Sequence, residues 1–91
     1  MKLEQREVWK HEIPMHDLFD IDFTYGAKVL CFQMQGDIPM IWVLVNPDEQ
    51  AREKLHFRLA GTGHEFSPVY GKYIGTVQEH GFVWHLFQSG T

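Results

Sequence analysis

The chain has 91 residues, 44% hydrophobic and 14% aromatic, which sets one small domain over 1–91 with enough large side chains for a core and excludes a disordered tail. Its formal net charge of −4 is the wrong sign for a protein that coats DNA or RNA, so no direct nucleic-acid binding is expected. The longest apolar run, IPMIWVLV, is far too short to span a bilayer, and MKLEQREVWK has no apolar stretch of a signal peptide. With one cysteine, Cys31, in the apolar VLCF, the expected setting is cytoplasmic and without membrane contact.

Along the chain, short runs of β-type alternation are separated by turn chemistry. EVWKHEIP sets Trp9, His11 and Ile13 against Val8, Lys10 and Glu12, which predicts a half-buried strand closed by Pro14. LFDIDF alternates Phe19, Ile21 and Phe23 with Asp20 and Asp22. TYGA then turns the chain at Gly26. KVLCFQMQ and PMIWVLVN read as a hairpin around Gly36-Asp37, a pair suited to a primed turn. PDEQAREKL, with Pro47 early and bases late, predicts at most one short helical turn near 47–54, or equally a solvated loop. KLHFRLA places Leu55, Phe57 and Leu59 inward. KYIGTVQE and GFVWHLFQ predict a second hairpin around His80-Gly81. About seven strands at this spacing predict an all-β fold, a small antiparallel sandwich or open barrel. The expected core is Leu30, Phe32, Trp42, Leu44, Phe57, Leu59 and either Trp84 or Val83.

Two strands are apolar on both alternate sets. Met40, Trp42 and Leu44 oppose Ile41, Val43 and Val45, and Phe82, Trp84 and Leu86 oppose Val83 and Phe87. A half-solvated antiparallel strand does not need this. Either another part of the chain covers the second face, or a second copy does. A homo-oligomer is the favoured expectation, with Val43 and Phe87 at the contact.

The polar residues offer little catalytic pattern. Six histidines show no HxH or HExxH spacing and there is no cysteine pair, so no metal and no cofactor is expected. No GxSxG or cysteine–histidine nucleophile is present, and Asp20 and Asp22 read as a solvated strand face. GTGHEF is different. Successive Gly61, Thr62 and Gly63 amides can converge on an anion as a nest, with the Thr62 hydroxyl and His64 beside them. Arg58 leads into this loop and Lys72 follows it. Residues 1–50 carry four basic against nine acidic residues, whereas 51–91 carry four against three, which leaves the second half able to hold an anion. The candidate ligand-binding set is therefore Arg58, Gly61, Thr62, Gly63, His64 and Lys72. The competing reading is a strand exit, since no GK[ST] and no helix follow the glycines.

VWKHEIP, GAKVLCFQMQ, IWVLVNP, FRLAGTGH and YIGTVQEHGFVWHLF, in that order, resemble a family of small proteins encoded in phage and prophage genomes. The matching positions are Trp9, Gly26, Lys28, Trp42, Pro47, Gly61, Thr62, Gly63, His64, Tyr73, Gly75 and His85. The resemblance carries over no activity. It implies a setting: a phage-borne accessory protein in the host cell, acting on a host process or host defence. Within that setting the expected function is a non-catalytic binding protein that sequesters a nucleotide-like or other anionic small molecule, or blocks a host protein. The alternative is a structural or assembly protein of a phage particle. A small enzyme ranks third, because no partner is evident for a lone histidine general base.

Overall fold

Turn residues cut the chain into seven strands: β1 (Glu7–Glu12), β2 (Leu18–Thr24), β3 (Lys28–Gln35), β4 (Ile38–Val45), β5 (Arg52–Gly61), β6 (Lys72–Glu79) and β7 (Phe82–Gln88). The computed structural model describes residues 5–65 and 71–89. The first four residues of the segment read for a signal peptide, and Phe66 of GTGHEF, lie outside them. The strands form two antiparallel sheets, one ordered β1-β4-β3 and one β2-β5-β7-β6. This is the small all-β sandwich that the alternation predicts.

The hairpin turns follow from glycine placement. Gln35 pairs with Ile38 across a two-residue loop in which Gly36 alone takes positive φ (61°), the II′ pattern. Glu79 pairs with Phe82 across His80 (φ 50°) and Gly81 (φ 83°), both positive as a I′ turn requires. Both predicted hairpins are present. Among the described residues no helix forms at 47–54. Asn46 accepts the Asp48 amide on its side chain and the Glu49 amide on its carbonyl, both at 3.1 Å. That closes an Asx-type turn instead, and Arg52 already begins β5.

The core lies between the sheets. Ile41, Val43 and Val45 of β4, with Val29 and Phe32 of β3, meet Ile21, Phe23, Leu55, Phe57, Leu59, Val77 and Leu86 of the other sheet. Phe19 stacks on Phe57 with centroids 5.2 Å apart. Phe32, Phe57 and Leu59 are buried as expected, but β4 faces the opposite way from the expectation. Ile41 and Val43 are fully buried, whereas Trp42 and Leu44 are only partly buried on the outer face. With both sets apolar, alternation cannot set the facing, and the smaller β-branched set takes the inner one. A bulge between Val29 and Cys31 adds the second correction. It leaves Leu30 unpaired and 45% exposed, and turns both Val29 and Phe32 inward.

Every residue of β1 is exposed; only Ile13, just beyond it, is buried. β1 is an edge strand paired to β4 alone; Trp9 and His11 stand opposite inward Val43 and Ile41 yet stay exposed, and Trp9 Nε1 donates to the Glu7 carboxylate at 2.8 Å. The His11 ring meets Phe23 edge-on at 5.6 Å. On the far side the sheets meet more tightly. A Cβ at Gly75 would lie 3.1 Å from the Phe32 carbonyl oxygen, so β3 and β6 touch there backbone to backbone.

Candidate functional site

β5 ends in a turn that only glycine permits. The His64 amide donates to the Gly61 carbonyl at 3.0 Å, and Gly63 between them holds φ at 88°. Positive φ at the third position of a four-residue turn is the type II pattern. The His64 ring folds back over its own turn, so that a Cβ on Gly61 would come within 2.8 Å of it. The ring also stands edge-on to Trp84 at 6.2 Å. Gly61 is thus needed for the room it leaves and Gly63 for its backbone.

The expected nest of Gly61, Thr62 and Gly63 amides loses its central donor. The Thr62 amide donates to the Val83 carbonyl at 3.1 Å and the His64 amide to Gly61, so both are spent inside the fold. The basic wall is not assembled either. Arg58 Nη2 donates to the Glu65 carbonyl at 3.3 Å and so fastens the chain leaving the turn. Lys72 pairs with Gln88, four positions along β7 from Trp84, which pairs with Gly61. At about 3.3 Å per residue, Lys72 starts β6 more than 10 Å from the turn. Of the six candidates the structure gathers Gly61, Thr62, Gly63 and His64, leaves Arg58 one row away, and sends Lys72 to the other end of the sheet.

Beside the turn lies a polar chain that sequence spacing does not show. The Thr62 hydroxyl lies 2.7 Å from Nε2 of His85 on β7. The other ring nitrogen, Nδ1, lies 2.9 Å from the Thr76 hydroxyl on β6, which in turn lies 2.6 Å from the Tyr73 hydroxyl. The Tyr73 ring meets Phe87 edge-on at 5.6 Å. Strand order creates the line: Ala60, His85 and Thr76 stand abreast on β5, β7 and β6, all on the outer face. Neutral imidazole donates from one nitrogen and accepts at the other, and a hydroxyl can do either. Every ring position is therefore satisfied whichever tautomer is present, and the line contains no carboxylate.

Two shallow depressions flank the turn. One, of about 270 Å³, is lined by Ala60, Thr62, Gly63, His64, His85 and Phe87. The other, of about 250 Å³, is lined by His64, Phe82 and Trp84 among others. Trp84 Nε1 is shielded from solvent there with no acceptor among the described residues. His56 and Asp20, 2.5 Å apart, and Arg52 and Asp22, 3.6 Å apart, pair β5 with the β2 edge. The two aspartates thus serve strand pairing, in line with their reading as a solvated face.

Sequence spacing alone misses Thr76 and gives no role to Tyr73 and His85, which enter there only as positions that carry the sequence resemblance. Their signal is the register of β6, β7 and β5, which one-dimensional spacing does not contain. No curated protein and no solved structure matches the chain. The family described as a domain of unknown function, DUF7352, matches residues 4–91. The match takes in every strand and turn described above, and the chain belongs to that family.

Proposed function

We propose that the chain is a non-catalytic binding module whose ligand rests in the depression between the GTGH turn and β7. The observation that carries this reading is His85, held at both ring nitrogens by the Thr62 and Thr76 hydroxyls on the wall of an open hollow. An imidazole so engaged is fixed in orientation by the two hydroxyls, and no carboxylate stands in the line behind it. It suits recognition better than turnover. Phe87 and His64 offer flat apolar surface to a ring, Thr62 a hydroxyl to its polar edge, and Arg58 a positive charge one row away. A nucleotide-like ligand matches that order of features. The phage-borne, anti-defence setting within a host cytoplasm rests on the sequence resemblance alone.

Self-association belongs to the same proposal, on a different face from the one first expected. Met40, Trp42 and Leu44 of β4 point away from the core, beside exposed Val8, Leu30 and Ile38. The occupant that fits is a second copy of this chain. Lys10 and Glu12 border the patch on β1, and a two-fold axis can set each against its opposite in the other copy.

A thermal-denaturation screen against nucleotides and cyclic nucleotides tests the ligand. At a concentration a hundred times Kd, binding adds about 2.7 kcal/mol of stability, which for a domain this size raises Tm by on the order of 10 °C. The rise is expected in the wild type and not in His85→Ala. A panel that leaves Tm flat rejects the nucleotide reading.

A further inference from the structure

We infer that the chain carries a second ligand site, at the opposite end of the four-stranded sheet from the GTGH turn, that takes a small amphipathic anion: a carboxylate on a short apolar chain. The cavity there measures about 550 Å³, twice either depression beside the turn. It opens where β3 and β6 begin, before they close on each other at Phe32 and Gly75. Each of these strands starts with a lysine, Lys28 from one sheet and Lys72 from the other, and both line the cavity.

Two features identify the ligand class. Neither lysine has an ion-pair or hydrogen-bond partner among the described residues, although the chain as a whole is acidic. The acid in the lining, Glu53, already accepts the Gly26 amide at 3.0 Å and is turned toward that backbone. Lys28, opposite outward Leu44, and Lys72, opposite Gln88, stand at the mouth against one engaged carboxylate, so the lining is net positive. Below them, the lining includes Val29 and Leu55, which belong to the core and are 5% and 6% exposed. A cationic rim over an apolar floor holds a head group by charge and a tail by exclusion of water. An inorganic anion leaves the floor wet, and an uncharged apolar molecule leaves the lysines unused. Lys72, which the sequence places with the GTGH loop, finds its role here.

The site shares no residue with the His85 line, so the two stand or fall separately. The test is titration of the protein at low salt with octanoate, with octylamine as the cationic counterpart and with inorganic phosphate. Wild type, Lys28→Gln, Lys72→Gln, the double variant and His85→Ala are compared. Octanoate is expected to bind, each lysine change to weaken it about tenfold, equivalent to 1.4 kcal/mol, and His85→Ala to leave it unchanged. Both lysines are exposed, so the Tm of each ligand-free variant should match that of the wild type. Octylamine binding as tightly as octanoate overturns the charge argument. Phosphate binding as tightly overturns the amphipathic one. Undiminished octanoate binding in the double variant overturns the site.

Discussion

The Thr62 hydroxyl and the His85 imidazole lie 2.7 Å apart although 23 residues separate them in the chain. The contact exists because β7, rather than β6, is the neighbour of β5. It lies near the surface, where a hydrogen bond adds only about 0.5–1.5 kcal/mol to folding. Thr62→Val and His85→Ala should therefore each cost about 1 kcal/mol in chemical denaturation, yet remove the ligand-induced rise in Tm. A double-mutant cycle should show the two changes to be non-additive. Loss of folding in Thr62→Val would instead make the line structural.

The two glycines of the turn should respond differently to alanine. At Gly61 the added methyl meets the ring of His64 first, a side chain able to swing out. Stability should drop by less than about 1 kcal/mol, with a large change in the His64 ring resonances. At Gly63 the surrounding space is open but φ is 88°. There alanine should cost about 1–2 kcal/mol through backbone strain alone, with His64 also displaced. Equal losses at the two positions would contradict this division of roles.

Phe57, 1% exposed and stacked on Phe19, marks the centre of the core. Phe57→Ala should cost about 3–5 kcal/mol in urea denaturation. Gly75→Ala should cost about 1–3 kcal/mol, because the methyl meets the Phe32 backbone and no side-chain rotation relieves it.

Outward Trp42 and inward Val43 are adjacent on β4 and separate assembly from folding. Trp42→Glu should yield a folded monomer in light scattering, with wild type at least dimeric at tens of micromolar. Val43→Asp should unfold the chain, because burying an unpaired carboxylate costs an amount comparable to the whole stability of a typical domain, about 5–15 kcal/mol. A wild type that is monomeric under these conditions rejects self-association through this face.

Alternation was informative wherever one set of residues was polar. Asp20 and Asp22 set the facing of β2, and His56 and Arg58 did so for β5, so Ile21, Phe23, Leu55, Phe57 and Leu59 lie where the pattern puts them. β4 has no polar set, and the bulge at Leu30 leaves no mark in composition, so the pattern alone puts Trp42, Leu44 and Leu30 on the wrong side. At the candidate site Thr62 and His64 were legible because a single turn holds them. Thr76 and His85 need the order of strands, and Lys72 stands far from the turn because closeness along the chain is not closeness in space.

The backbone contact of Gly75 with Phe32 binds the two sheets along one margin, as a spine binds a book. At the opposite margin β1 is exposed along its length, and its His11 ring meets Phe23 of the other sheet edge-on. Thermal opening must then pivot on the spine and grow toward β1, so amide exchange should be slowest around Phe32 and fastest in Glu7–Glu12. Thr76 and Tyr73 sit on the strand that forms the spine, and His85 on the next one. The cover can lift while the print beside the binding stays in register.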